Sequence, residues 1–337
     1  VKNKLFGFFN WESFRVANPR PVLERVPGVF LRGPNPLFRD IFERDPRPIS
    51  AALYRLYPLP NVPAVRGITD PDVAAFFVGE SENRTFTDNF LGRIDWQVGD
   101  RDSMSFKHNI QQIDQVQGGT LPKTANYPGN GADVDGRNQN FSYNWAHQFG
   151  PRTTNEFRFG WIRFRLDALP LDRTLDPGAL GFRELNFRDR GLPTLTIGGD
   201  SAVKFLVERR VFADEVVPFA SLGADLSVPS SRVNNVWSFA DNFSLLRGRH
   251  NWKFGFEFRR VRLNATNQAL GRGLLTFFDD LFVAQTDLPD VASIARVGRE
   301  FGGGFDRAFL TYGYNWFLQD QWRPRSNVTL NYGIRYE

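Results

Sequence analysis

The sequence predicts an all-β fold: part of an antiparallel transmembrane β-barrel, with about nine strands and long extracellular loops. Three observations carry this. Large apolar residues alternate with polar ones over nine separate runs, the two-residue period of a half-buried strand. The connections between these runs alternate strictly between tight turns and segments of several tens of residues. The 337 residues include 34 Phe, 8 Trp and 8 Tyr, with 30 Gly and 21 Pro but a single Met. Aromatic enrichment with few helix formers favours strands.

The first run extends from about Leu5 to Val16, with Leu5, Phe9 and Trp11 on one face. The second, about Thr85 to Val98, sets Phe86, Phe90, Ile94, Trp96 and Val98 against Thr87, Asn89, Arg93, Asp95 and Gln97. In the third, Met104, Phe106, His108 and Ile110 oppose Ser105, Lys107, Asn109 and Gln111. The fourth carries Phe141, Tyr143, Trp145 and Phe149, and the fifth Phe157, Phe159 and Trp161 against Glu156, Arg158 and Gly160. Val233, Trp237, Phe239, Phe243 and Leu245 mark the sixth. The seventh opposes Trp252, Phe254, Phe256 and Phe258 to Lys253, Gly255, Glu257 and Arg259. Tyr312, Tyr314, Trp316, Leu318 and Trp322 define the eighth, and Val328, Leu330, Tyr332, Ile334 and Tyr336 the ninth, opposite Arg335.

Short polar turns join the second and third runs, the fourth and fifth, the sixth and seventh, and the eighth and ninth. Between these hairpins lie about Ala17 to Arg84, Asp114 to Asn138, Asp167 to Arg232 and Ala265 to Thr311, all rich in Gly, Pro, Asn and Asp. A soluble sandwich has no reason to gather short turns at one end and long loops at the other, whereas an outer-membrane barrel has that plan. In lipid every backbone polar group must pair within a closed sheet, and outward residues must be apolar. Within the long segments, PISAALYRLYPLPN (Pro48 to Asn61) predicts a short helix with Ser50 as N-cap and Pro58 as its stop. Val291, Ile294 and Ala295 predict another helical turn.

Composition also excludes function classes. No Cys rules out a disulfide framework or thiolate metal site, and three scattered histidines, His108, His147 and His250, leave little material for a zinc centre. The net charge is +5, but no run of five Lys or Arg occurs, so no nucleic-acid partner is expected. No stretch of 18 apolar residues suggests a membrane helix, and no signal peptide is read at Val1. A processed product or an excerpt of a longer chain is expected.

The tryptophans sort by distance from the short turns. Trp96, Trp252 and Trp322 lie within about three residues of one, where an inner aromatic girdle belongs; Trp11 and Trp237 lie towards the long-loop ends. Arg163, Arg165, Arg260 and Arg262 have the outward parity beyond the apolar part of their strands, placing them for lipopolysaccharide phosphates or as solvated extensions. Asp241 and Asp320 also fall on the apolar parity, where a carboxylate is costly. Interfacial exposure is expected to accommodate Asp320, and a bulge around Asp241 and Asn242 to turn Asp241 inward. The inward-parity charges Lys107, Glu156, Arg158, Lys253, Glu257, Arg259 and Arg335 predict a solvated or mutually paired lumen wall, some of them facing a plug or substrate. Asp279/Asp280, Asp287/Asp290 and the Gly302 to Gly304 run lack a partnered His or a strand-to-helix context, so no catalytic residue and no cofactor is expected, calcium on loop carboxylates being the remaining alternative.

Several stretches, in order along almost the whole chain, resemble TonB-dependent receptors of the Oar-like kind. VKNKLFGFFNWESFR (1–15) is similar to the start of their barrel. Val26-Pro27-Gly28 through PISAALYRLYPLPN resembles the loop that follows, and FTDNFLGRIDWQVGDRDSMSFKH (86–108), LLRGRHNWKFGFEFRR (245–260) and NWFLQDQWRPRSNVTLNYGIRYE (315–337) resemble later strands. The resemblance implies a barrel of about 22 strands in the outer membrane of a Gram-negative bacterium, an internal plug, and import of a bulky peptide, glycan or metal chelate powered through the TonB complex. Residues 1–337 would then be the N-terminal portion of the barrel, without the plug, the TonB box and the preceding domains. Two other readings stay open: a non-transporting or adhesin-like surface barrel, and a soluble β-rich binding module.

Overall fold

Polar–apolar alternation predicts pairing, and all nine predicted strands pair in one sheet. A computed structural model of the chain describes residues 4–28, 32, 48–62, 74–180, 191–197, 219–267, 272–277, 294–298 and 306–337. The strands in chain order are β1 (Leu5–Ala17), β2 (Arg20–Pro27), β3 (Ala74–Ser81), β4 (Arg84–Gln97), β5 (Asp102–Gln117), β6 (Ala132–Gly150), β7 (Thr153–Pro170) and β8 (Thr194–Ile197). They continue with β9 (Ser230–Arg247), β10 (His250–Asn267), β11 (Leu274–Phe277), β12 (Ile294–Gly298), β13 (Asp306–Arg325) and β14 (Val328–Tyr336). The main sheet runs β1-β4-β5-β6-β7-β9-β10-β13-β14, every neighbour antiparallel, with β1 and β14 as its two edges. Among the described residues no helix is long and apolar enough to cross a membrane.

The register carries one parity across all nine strands. One cross-strand row reads Leu5, Trp96, Met104, Trp145, Phe157, Asp241, Phe256, Trp316, Tyr336 through all nine strands. This row climbs relative to the turns: Trp96 is one residue from the short-turn end of β4 at Gln97, and Trp316 is nine from that of β13 at Arg325. Such a stagger is the shear that closing a tilted sheet into a barrel requires.

The larger strands outrun the alternation. β5, β6, β7, β9, β10 and β13 have 16, 19, 18, 18, 18 and 20 residues, against about 9–11 needed to cross the hydrocarbon. The excess lies at the long-connection end, because each strand starts or stops directly at its short turn. Beyond the apolar band the backbone still pairs but the side chains need not be apolar, so β5 continues seven residues past Ile110 to Gln117. The connection to β6 shrinks accordingly to residues 118–131.

The described parts of the long connections fold on one another. A buried cluster joins Val26, Leu53, Tyr54, Leu56, Tyr57, Leu121, Tyr127, Leu192, Leu195, Ile197, Phe219, Leu222 and Leu275, from four different connections. The helix α1 (Pro48–Tyr54) supplies part of it, starting at Pro48, so Ser50 lies in its first turn and is not its cap. Pro at a first helical position sacrifices no needed N–H and pre-sets φ. The turn predicted at Ile294 and Ala295 is instead the extended strand β12, paired antiparallel to β11; Val291 lies outside the described residues. β8 completes that small sheet in parallel with β11, and β2 pairs with β3 in a second. Polar anchors fix the cap: Arg32 donates to the carbonyls of Pro27, Tyr57 and Pro58, and the Tyr127 hydroxyl accepts the Gly223 N–H at 2.8 Å. Gly223 has a positive φ of 77° and no room for a side chain against the Pro193 backbone.

Candidate functional site

The polar face of the sheet is where most of the named charges meet. Phe6, Asp95, Ser105, Asn144, Arg158, Ala240, Glu257 and Asn315 form one cross-strand row. Lys107 and Arg259 share the next row with Arg93, Ser142, Gly160 and Ser238, and Glu156 shares another with Asn242, Gly255, Phe317 and Arg335. Lys253 stands apart, between Ser244 and Gln319. A concavity of about 680 Å³ at the short-turn end is lined on this face by Phe6, Asp95, Ser105, Asn144, Glu156 and Arg158.

Its charges pair along strands rather than across them. Arg158 Nη2 meets Glu156 Oε2 at 2.7 Å, Arg93 Nε meets Asp95 Oδ2 at 2.8 Å, and Arg335 pairs with Glu337. Residues two apart on a strand point to the same side, which makes these pairs local and exposed. Lys107, Lys253, Glu257 and Arg259 make no ion pair among the described residues. Amide side chains bridge neighbouring strands on the same face: Asn109 Nδ2 donates to Asn89 Oδ1 at 3.0 Å, Asn138 Nδ2 to Gln111 Oε1 at 2.7 Å, and Asn144 Nδ2 to Ser105 Oγ at 3.1 Å. Sequence reasoning passed over these amides because each is an ordinary polar strand residue until the register brings its partner opposite.

The apolar face carries the tryptophans. Trp96 is one residue from the end of β4, Trp252 two from the start of β10, and Trp322 three from the end of β13. Trp11 stacks on Phe90 at 6.4 Å between centroids, and Trp237 lies opposite Trp161 and Arg260.

Both awkward carboxylates on this face find partners within the sheet. Asp320 is 1% exposed, not interfacially solvated as expected; its Oδ2 accepts from Tyr332 Oη and meets His250 Nδ1, each at 2.6 Å. Asp241 needs no bulge, because the registers of β9 with β7 and with β10 run through it unbroken. The Asn155 side-chain amide donates to it at 2.9 Å. A third carboxylate, missed in the sequence because it adjoins a turn, is Asp102, which meets His147 Nδ1 at 2.6 Å and accepts Trp145 Nε1–H at 2.9 Å. An Asp beside a turn with a His or Trp at the matching end of the next strand is the pattern that identifies such clusters.

In the cap, Asp172 pairs with Arg272 at 2.9 Å, both side chains buried, and accepts the Leu192 N–H at 3.0 Å. Burial raises its carboxyl pKa above the ordinary value, with Arg272 pulling it down. Burial also lowers the Arg32 guanidinium to about 10. Asp279, Asp280, Asp287, Asp290 and Gly302 to Gly304 lie outside the described residues. Among the described residues no three His, Asp or Glu side chains group as metal ligands. The polar face gathers charges and amides around a concavity.

A shear-staggered antiparallel sheet, apolar on one face and polar on the other, with short turns at one end and a folded cap at the other, defines a segment of a membrane-spanning β-barrel. The family model for the outer membrane beta barrel domain matches residues 1–337, and the chain belongs to that family, a protein of the outer membrane. It is similar to the outer membrane transporter YddB from Escherichia coli at 11% identity and a TM-score of 0.44, covering 77% of this chain and 28% of that one. It is similar also to the closed form of the ferric-catecholate import receptor Fiu from E. coli, at 11% identity and a TM-score of 0.37, covering 98% of this chain and 41% of Fiu. The chain thus spans less than half the length of either structure. No curated protein sequence matches it.

Proposed function

We propose that residues 1–337 are the N-terminal portion of the barrel of an Oar-like, TonB-dependent receptor, whose long extracellular connections bind a bulky ligand and whose lumen passes it inward. The observation that carries this reading is the cap. Ala224 and Val228 pack against Ala132 and Ala168, and Ala132 and Ala168 have the polar-face parity of β6 and β7, so the cap packs onto the long-connection end of the face that carries Glu156 and Arg158 near its other end. A folded binding surface above a polar passage is what capture followed by import requires. Lys107, Lys253, Glu257 and Arg259, free of ion pairs among the described residues, supply charges for a ligand or a plug, and Trp96, Trp252, Trp322, Trp11 and Trp237 the two aromatic girdles. The ligand class is a peptide, glycan or metal chelate; the energy comes through TonB, reached by a region outside this sequence. The reaction is binding and gating, without a catalytic residue or cofactor.

The test uses the whole protein in cells, with radiolabelled oligopeptide, oligosaccharide and ferric-catecholate probes. Accumulation of one probe that stops when TonB is deleted supports import. Surface binding without TonB-dependent accumulation for any of the three would favour the adhesin-like alternative. Because the sequence contains no Cys, single cysteines test the faces directly. Lys107→Cys and Arg259→Cys should react with a membrane-impermeant maleimide, and Phe106→Cys and Phe258→Cys only with a lipid-soluble one.

A further inference from the structure

We propose that Arg137, Arg163, Arg260 and Arg262 form a seat for the phosphate groups of lipopolysaccharide in the outer leaflet. All four have the apolar-face parity of β6, β7 and β10. Arg163 is ten residues from Thr153, and Arg260 ten from His250, the short-turn ends of their strands. At about 3.3 Å rise per residue and about 40° tilt, both stand roughly 25 Å above that end, the height of the apolar band itself. Trp161 and Trp237 share the cross-strand row of Arg260, and the Arg260 guanidinium sits 5.3 Å from the centroid of the Trp237 ring. The arginines therefore begin where the hydrocarbon ends.

Their charge is not neutralised from within. Arg15 is held by Asp88 at 2.6 Å, Arg84 reaches Glu82 and Asp114, and Arg165 is engaged by Asp167. Among the described residues no carboxylate pairs with Arg137, Arg163, Arg260 or Arg262, and Arg260 Nε has no hydrogen-bond partner. Arg137 moreover lies directly opposite Arg165, a like-charge pairing that weakens a sheet. Asn235, 7% exposed, sits between Arg163 and Arg262 and accepts from Arg163 Nη1 at 3.3 Å. Two strand spacings separate those two arginines, about 10 Å. On this side the cap reaches the strands through Arg173, which pairs with Asp133 at 2.6 Å, while its apolar contact lies at Ala132 and Ala168 on the other face; Arg137 and Arg262 themselves stay exposed. Clustered guanidinium groups at the hydrocarbon edge match a glycolipid that carries phosphates at that depth, because Arg binds phosphate with two parallel N–H bonds.

The inference rests on the reading above for one point, that the long-connection end faces outward. Its readout is lipid, however, so a protein that binds the glycolipid and imports nothing would overturn the import reading and leave the seat intact. Native mass spectrometry of the whole detergent-extracted protein, titrated with bisphosphorylated lipid A and with the same glycolipid after phosphatase treatment, provides the test. The wild type should prefer the phosphorylated form by roughly tenfold or more. Combining Arg163→Gln, Arg260→Gln and Arg262→Gln should abolish that preference. Arg165→Gln, whose guanidinium is already engaged, should stay within roughly twofold. Equal binding of the two glycolipids by the wild type, an unchanged preference in the triple variant, or displacement by millimolar inorganic phosphate would each overturn the proposal. Should the triple variant not fold, the wild-type comparison decides alone.

Discussion

His250 Nδ1 and Asp320 Oδ2 lie 2.6 Å apart across β10 and β13, and Tyr332 of β14 donates to the same carboxylate oxygen at 2.6 Å. The His250 ring stacks with Trp252 along its own strand and with Trp322 across from it, each centroid 5.6 Å away. Three strands are thus tied by one carboxylate under an aromatic cover, near the short-turn end. Replacing Asp320 with Ala leaves an imidazole and a phenol without partners, which costs more than losing one bond. Asp320→Ala should lower the urea midpoint of the reconstituted protein further than Tyr332→Phe does. Asp320→Ala combined with His250→Phe should recover part of the loss, since the imidazole left without a partner is then gone and only the Tyr332 phenol remains. Equal midpoints for the two single variants would contradict this account.

Gly255 and Phe317 are direct cross-strand partners on the polar face. The Phe317 ring lies over Gly255, and a Cβ there would collide with it and come within 2.7 Å of Asn242 Oδ1. The bare glycine is what lets the ring lie down. Gly255→Val should destabilise the sheet by about 1–3 kcal/mol through overpacking, and Phe317→Ala in the same chain should relieve part of it. Equilibrium unfolding in a defined bilayer measures both.

Leu195 is fully buried in the cap and exchanges backbone hydrogen bonds with Leu222 at 2.8 and 3.0 Å. Leu195→Ala should loosen the cap by about 2–5 kcal/mol, the cost of a core cavity. The loss should appear as faster hydrogen exchange at Leu195 and Leu222, with the amides of β7 and β10 unchanged. Equal acceleration in the strands would mean that cap and barrel unfold as one unit.

The buried Asp172 gives the cap a pH dependence of definite sign. Because burial raises its native pKa above the ordinary 3.8, the folded cap binds this proton more tightly than the unfolded one. Its stabilising contribution is present below 3.8 and is lost as pH rises through the raised native value. Asp172→Asn should remove that slope, and Arg272→Gln should steepen it by taking away the opposing cation. Protection of the Leu192 amide across acid pH, corrected for intrinsic exchange, reads the effect.

Depth separates the tryptophans if the girdles are as proposed. In a chain with a single Trp retained, Trp322 and Trp237 should both be quenched most by bromines near the headgroups and least by bromines at the bilayer centre. A headgroup quencher confined to one leaflet should reach only one of the two. Strong midplane quenching of Trp322 would displace the inner girdle.

The strands were readable in the sequence because lipid acts locally. One apolar and one polar side, imposed at every second residue, write the alternation of Trp252, Phe254, Phe256 and Phe258 into seven consecutive positions. Lys253, Glu257 and Arg259 were assigned to one face by the same parity. The cap was not readable, since Val26, Tyr57, Leu121, Leu195 and Phe219 follow no common period and meet only after the chain has folded. The fate of each charge depended on register as well. Sequence alone grouped Arg165 with Arg163, but Asp167 occupies the first, while Arg137, 28 positions away, arrives opposite it. Periodicity fixes which side a residue faces. Only the pairing of strands decides which residue it faces, because that depends on the stagger accumulated across the sheet, from Trp96 beside its turn to Trp316 nine residues from its own.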